Sequence, residues 1–233
     1  MAKTLKQALK TEGPGGVLKK GIKILASRWY LFRAGLQDRR LGRISLNSVI
    51  PTRFAREGAY STQSSDYRCL KQVFREAPLE KDAVFVDVGC GEGRLLSYLY
   101  LKGHQGPILG IELDPAVANT ARERMAGCEN VTVVCKNILD CGDLLVKADA
   151  VYLFNPFARE VLCRFVALLE AVCVKPLRMY YLNDLYADAV CERPGWETLC
   201  CGVIHRFEAV DVSYTVFRFC PPGTEQTHKD GSV

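Results

Sequence analysis

The sequence predicts an α/β protein: a seven-stranded, mostly parallel sheet, doubly wound by helices, its last strand antiparallel, preceded by a helical extension. Three observations carry this. From residue 83 to residue 193 short apolar runs alternate with longer amphipathic ones, the pattern of strand–helix–strand units that close onto a parallel sheet with helices on both faces. The first run opens straight into a glycine turn, VFVDVGCGEGR, Val84 to Arg94. The last two runs, WETLCCGV and VSYTVFRF, have no helix between them and so pair antiparallel.

In chain order, Gly13-Pro14-Gly15-Gly16 predicts a break. Beyond it Leu18, Ile22, Leu25, Trp29, Phe32 and Leu36 recur at spacings of 4, 3, 4, 3 and 4, one apolar stripe of a helix. Lys19, Lys20, Lys23 and Arg33 lie off the stripe. Such a helix can pack on the main domain with its charges solvated, lie on an anionic membrane through residues 17–36, or serve as a mitochondrial presequence. Residues 42–66 read as irregular, and a helix is predicted over 66–76. AVFVDV then reads as a buried strand, RLLSYLYL as a helix and PILGIEL as a strand. AVANTARERMA is a helix, with Asp114 as its N-cap and Pro115 at its first position. NVTVVC and AVYLFN are strands, REVLCRFVALLEAV a helix and MYYLN a strand. A short helix follows to about Cys191. The tail PPGTEQTHKDGSV has the composition of a disordered segment.

Hydrophobic residues make up 48% of the 233, enough for one sizeable core plus an extension. No stretch of ten residues lacks a charge, which excludes a membrane-spanning helix. The lysine-bearing start MAKTLKQALK has no apolar h-region and does not read as a secretory signal. The net charge of +5 is unevenly spread: residues 1–43 hold eleven Lys/Arg against Glu12 and Asp38, and the other 190 residues carry a net −4. Eleven cysteines without a CxxC pair indicate a reducing compartment and no metal site. The expected location is the cytoplasm, with membrane-peripheral or mitochondrial placement as alternatives.

The glycine turn does not fit a dinucleotide. In G-x-G-x-x-G the third glycine stands three residues after the second. Here Gly89 and Gly91 fit, but Gly93 is one residue early and Arg94 takes its place. Asp87, at the end of the strand, would repel a pyrophosphate and suits a cationic group. VDVGCGEG followed by GIELDP resembles motifs I and II of the class I S-adenosylmethionine-dependent methyltransferases, over roughly residues 80 to 219. The resemblance implies a Rossmann-like methyltransferase fold with S-adenosylmethionine as cofactor. The N–H groups from Gly89 through Cys90 and Gly91 to Gly93, with the helix start behind them, would face its carboxylate. Asp87 would meet its ammonium. Glu112, followed by Leu113, would accept from its ribose hydroxyls, and Asn137 and Ile138 would hold adenine. On this reading the chain divides into a basic helical extension (1–65), the cofactor-binding domain (66–220) and a disordered tail (221–233).

The fourth strand ends in YLFNPF, Tyr152 to Phe157, where the family faces the transferred methyl. NPF is similar to the N-P-P-[YF] motif of amine-methylating relatives, in which the Asn side chain and the Pro carbonyl hold the amine and the aromatic stacks on it. This chain has one proline and then Phe157 and Ala158. Asn155, as an acceptor- and cofactor-site residue, and Phe157, as an acceptor wall, are the catalytic candidates. LFNPF together with Asp38-Arg39-Arg40-Leu41-Gly42 also resembles a small group of class I methyltransferases, in which a Tyr and a Thr before the domain close the cofactor site; Tyr60 and Thr62 are the candidates here. The implied reaction is methyl transfer by in-line displacement to a small molecule, a lipid-linked glycan or a protein. The net acidity of the catalytic part speaks against nucleic acid as the acceptor. The competing readings are an inactive scaffold of the same fold and a nicotinamide-dependent oxidoreductase.

Overall fold

The computed structural model describes residues 5–42, 46, 48–205 and 210–223. Helix α1 (Leu5–Asp38) leads, followed by the short strands β1 (Val49–Ile50) and β2 (Thr62–Gln63) and helix α2 (Tyr67–Glu76). The alternating part runs β3 (Phe85–Val88), α3 (Arg94–Leu101), β4 (Ile108–Glu112), α4 (Pro115–Met125), β5 (Val131–Cys135), α5 (Gly142–Leu145), β6 (Ala150–Phe154) and α6 (Arg159–Val172). Then come β7 (Leu177–Leu182), α7 (Asp188–Cys191), β8 (Trp196–Ile204) and β9 (Val212–Phe219).

The main sheet has the order β5-β4-β3-β6-β7-β9-β8. Strands β3 to β7 are mutually parallel, and β9 runs antiparallel to both β7 and β8. This is the expected doubly wound sheet of the Rossmann-like methyltransferase fold. Its strand order reverses at β3, where β4 lies on one side and β6 on the other; ligands of such sheets bind outside the carboxyl ends of the strands at that point.

Alternation along the strands makes two cores. Phe85, Tyr152, Tyr180 and Tyr214 point to one face and pack with Leu70 and Val73 of α2 and Leu96 of α3. Val86, Val151, Leu153 and Phe217 point to the other, against Leu162, Phe165 and Leu169 of α6. Both faces are covered, so the parallel strands read as continuous apolar runs. Asp114 caps α4 as expected, its carboxylate accepting from the N–H of Ala116 at 2.8 Å.

Three expectations are corrected. The break at Gly13-Pro14-Gly15-Gly16 is absent: α1 continues through it. Pro14 is exposed, so the hydrogen bond it cannot make is lost to solvent and not to a buried vacancy. The stripe Leu18–Leu36 is not the packing face either; all six of its residues are exposed. The helix packs through Tyr30, Ala34 and Asp38. The stretch 42–66, read as irregular, contains the antiparallel β1–β2 pair. Most of the tail, 224–233, lies outside the described residues.

The anchor of α1 is ionic. Asp38, its last residue, is buried and accepts from Arg94 Nε at 2.9 Å and Nη2 at 2.8 Å, from the Tyr67 hydroxyl at 2.9 Å and from the Leu46 N–H at 2.8 Å. Arg94 Nη1 donates to the Ser65 carbonyl at 3.2 Å, and its guanidinium lies over the Tyr67 ring, 5.1 Å from the centroid. Arg124 donates to the Asp38 carbonyl oxygen at 2.6 Å. Removing one member of a buried ion pair strands the other charge, at about 3–5 kcal/mol. Asp38→Ala is therefore expected to lose about that much stability in denaturant unfolding, while the double variant Asp38→Leu/Arg94→Met recovers most of it. A single-variant loss below about 1 kcal/mol would show that solvent reaches the pair.

Candidate active site

A cleft of about 350 Å³ opens at the carboxyl ends of β3, β4 and β6, roofed by residues 50–65 of the extension. Its floor is the turn after β3. Gly89, Gly91 and Gly93 have φ of 71°, 55° and 84°, the left-handed region that costs a side chain steric strain. A Cβ on Gly89 would lie 2.8 Å from Pro156 Cβ, and one on Gly91 2.8 Å from Thr62 Cγ2. The turn is thus closed over by the fourth-strand loop on one side and by the extension on the other.

The N–H groups of the turn are mostly spent inside the protein. Those of Gly89 and Cys90 donate to the Ile111 carbonyl at 2.9 and 3.0 Å, and that of Gly93 to Cys90 at 3.0 Å. The N–H of Gly91 donates to Glu112 Oε2 at 2.9 Å. The expectation that Gly89 to Gly93 present these groups to a ligand is corrected accordingly. The cleft also meets the start of α3, through the lining residues Arg94 and Leu95.

Glu112, at the end of β4, is fixed by three backbone N–H groups: Gly91 on Oε2, and Leu113 and Asp114 on Oε1 at 2.8 and 3.0 Å. Asp87 is fully buried at the end of β3. Burial pushes its carboxyl well above the usual carboxylate range, and the Glu112 charge adds to the shift. Glu112 is also raised by burial, partly offset by its backbone hydrogen bonds. Burial holds the Cys90 thiol protonated, with the two acids reinforcing it; its sulfur lies 2.8 Å from where a Cβ on Gly110 would stand, so it packs strand against turn.

Of the residues singled out in the sequence, Asp87, Gly89, Cys90, Gly91, Glu112, Leu113, Asn137, Ile138, Phe157, Tyr60 and Thr62 are all brought to the cleft. Asn137 caps a single 3-10 turn, its side-chain oxygen accepting from Leu139 N–H at 3.0 Å. Gly93 and Asn155 are not on the wall. Gly93 is the N-cap of α3, its carbonyl accepting from the Ser97 N–H and hydroxyl. Asn155 is buried in the left-handed region at φ 39°, and its Oδ1 accepts from the Tyr181 hydroxyl at 2.9 Å.

The NPF turn binds the extension. The Pro156 carbonyl accepts from Tyr60 N–H at 2.9 Å, and Ala158 N–H donates to the Gly58 carbonyl at 2.8 Å. An isolated bridge pairs Ala59 with Phe157, and the Phe157 ring packs edge-on against Phe165. The Tyr60 hydroxyl meets that of Tyr186 at 2.8 Å. Sequence reasoning missed Arg94, Ser65 and Tyr186. Arg94 stood out only as the residue that breaks the dinucleotide pattern, and Ser65, which accepts from the Tyr152 hydroxyl at 2.6 Å, carried no local signal. Among the described residues no group of three or more His, Cys, Asp or Glu is placed to hold a metal ion, and no helix is long and apolar enough to cross a membrane.

Residues 85–173 match the methyltransferase domain family. The structure is similar to the putative methyltransferase yhhF from Escherichia coli, at 22% identity and TM-score 0.54, over 68% of this chain and 89% of that one. It is also similar to the N-methyltransferase NodS from Bradyrhizobium japonicum WM9, solved with S-adenosyl-L-homocysteine, at 11% identity and TM-score 0.55, over 66% and 87% of the two chains. A third likeness is to the precorrin-6y C5,15-methyltransferase from Geobacter metallireducens, at 15% identity and TM-score 0.53, over 67% and 89%. No curated protein matches the sequence. The match and the fold together support a methyltransferase that uses S-adenosylmethionine.

The buried acids generate a stability prediction. A carboxyl whose pKa is higher folded than unfolded keeps its proton longer in the fold. Its stabilising contribution is complete below the unfolded value of about 3.9 and is lost as pH rises from there through the folded value. The contribution of Asp87 to the stability of the ligand-free protein should therefore fall as pH rises above about 4. Asp87→Asn, which removes the buried charge, should flatten that slope and raise the melting temperature at neutral pH. Thermal melts across about pH 5 to 8 test this; a melting temperature lowered at every pH would refute it.

Proposed function

We propose that the protein transfers the methyl group of S-adenosylmethionine to an acceptor entering the cleft beside Phe157. The observation that carries this is Asp87: a fully buried carboxylate on the cleft floor, beside a glycine turn, with a second acid nearby and a raised pKa. Such a group is costly until a cation meets it, and the cofactor has an ammonium. The donor set suits the remaining groups. The N–H groups at the start of α3 suit a carboxylate. Glu112 Oε2, which carries one backbone hydrogen bond, retains capacity for a ribose hydroxyl. Asn137 can accept from an adenine amino group with its second lone pair, and Ile138 packs beside it.

When bound, S-adenosylmethionine supplies a sulfonium-activated methyl, displaced in line. The chain's own contribution is placement and exclusion of water. Thr62 and Pro156 close on the glycine turn, and the lining residue Tyr60 is held through its hydroxyl by Tyr186. The two atoms by which the amine-methylating motif would hold an amine are engaged elsewhere: Asn155 Oδ1 by Tyr181 and the Pro156 carbonyl by Tyr60. Asn155 acts on this reading as a positioning residue for the turn, and the acceptor is held by the aromatic and aliphatic wall of Phe54, Phe157 and Val161, with Arg164 at the rim. Among the described residues no histidine lines this cleft, which suits a nucleophile that needs no strong base.

Calorimetric titration tests the reading. Glu112→Ala should weaken S-adenosylmethionine binding by about 2–3 kcal/mol, roughly 30- to 150-fold. Failure of both S-adenosylmethionine and S-adenosylhomocysteine to bind the unaltered protein would overturn it. Binding without methyl transfer to any acceptor class would favour a scaffold of the same fold.

A further inference from the structure

Helix α1 presents two faces, and the domain uses one. Tyr30, Ala34 and Asp38 dock it; the Tyr30 hydroxyl donates to Asp66, and Asp38 binds Arg94. Leu18, Ile22, Leu25, Trp29, Phe32 and Leu36 lie on the opposite side, about 160° around the helix at 3.6 residues per turn. Each is 49% to 68% exposed. This is a continuous apolar strip of five turns with an aromatic pair, Trp29 and Phe32, whose ring centroids are 5.8 Å apart. Folding of this chain does not use it, and a strip of this size marks a surface that meets something else.

The charges around the strip select the partner. Residues 13–37 hold Lys19, Lys20, Lys23, Arg28 and Arg33 and no acid. The 4-3-4-3-4 spacing would also serve as a coiled-coil seam, but the positions flanking such a seam are Lys19, Arg28 and Arg33. A second copy of the same helix would set like charges against one another in either orientation. An anionic surface is attracted instead. The strip also turns away from the docking face, about 160° around the helix, which leaves it open to an extended surface.

We infer that residues 17–36 form an interfacial anchor that lays its apolar strip into an anionic lipid bilayer, with Lys19, Arg28 and Arg33, which flank the strip, at the headgroups. The anchor stands on its own geometry and does not depend on the methyltransferase reading. Intrinsic fluorescence reads it directly, because the chain has two tryptophans and Trp196 is buried in the core. Adding phosphatidylcholine vesicles with about one-third phosphatidylserine at low salt should shift Trp29 emission to the blue. Pure phosphatidylcholine should bind at least about tenfold more weakly, and raised salt should weaken the anionic binding. Leu25→Asp/Phe32→Asp should reduce vesicle partitioning at least about tenfold while leaving the melting temperature unchanged, since both side chains are exposed. Absence of binding to anionic vesicles, or binding indifferent to that double variant, overturns the inference. So does a dimer, seen by sedimentation, that the same variant dissolves without any lipid binding.

Discussion

Arg94 leaves the glycine turn and enters α3 with its guanidinium already fixed by Asp38, and the arrangement of the cleft depends on that pair. Two charges so deeply buried are stable only where their remaining hydrogen-bonding capacity is filled. Here it is: the Asp38 carboxylate receives four donors, and Arg94 reaches the Ser65 carbonyl and stacks on Tyr67. One cluster therefore fixes the end of α1, the start of α2 and the exit of the turn. The segment between Asp38 and Tyr67 is held at both ends, and that segment roofs the cleft.

The floor follows a related logic with the opposite outcome. Asp38 is buried with its counter-charge, whereas Asp87 is buried beside another acid. The first carboxylate is committed to stability; under the proposed function the second meets the ammonium of the cofactor. Glu112 is intermediate: three N–H groups orient it and partly offset the cost of burial. Its bond to Gly91 links β4 to the turn after β3, so this acid and the turn cannot move independently. Glycine at 89 and 91 lets Pro156 and Thr62 approach within contact of that turn. The same close approach leaves the turn's own N–H groups directed inward.

Much of this was legible in the sequence because it is local. Strand–helix alternation, the cap at Asp114, the glycine turn and the acids at two strand ends are each encoded within a few residues, and the structure brings them to one cleft. What was not legible is long-range or depends on which face a pattern presents. Arg94 and Asp38 are 56 residues apart, and nothing in either neighbourhood names the other. Asn155 sits at a position the motif assigns to an acceptor, yet its orientation is set by Tyr181, on the next strand. The apolar stripe of α1 was read correctly as one face of a helix, but periodicity does not say whether that face turns toward the domain.

That last point bears on how α1 is held. A helix docked by hydrophobic burial would gain about 1.5–3 kcal/mol for each large side chain it covered, and the six residues of the stripe would have supplied that. The docking face instead carries a tyrosine, an alanine and an aspartate. Attachment by a few directional bonds near the end of the helix fixes its orientation while leaving the larger apolar face outward, an arrangement hydrophobic docking would have reversed. Because the attachment is Asp38 itself, the outward face and the turn under the cleft are joined through one buried residue. A surface that immobilised α1 would act on the element that carries Arg94, and through it on the roof of the site.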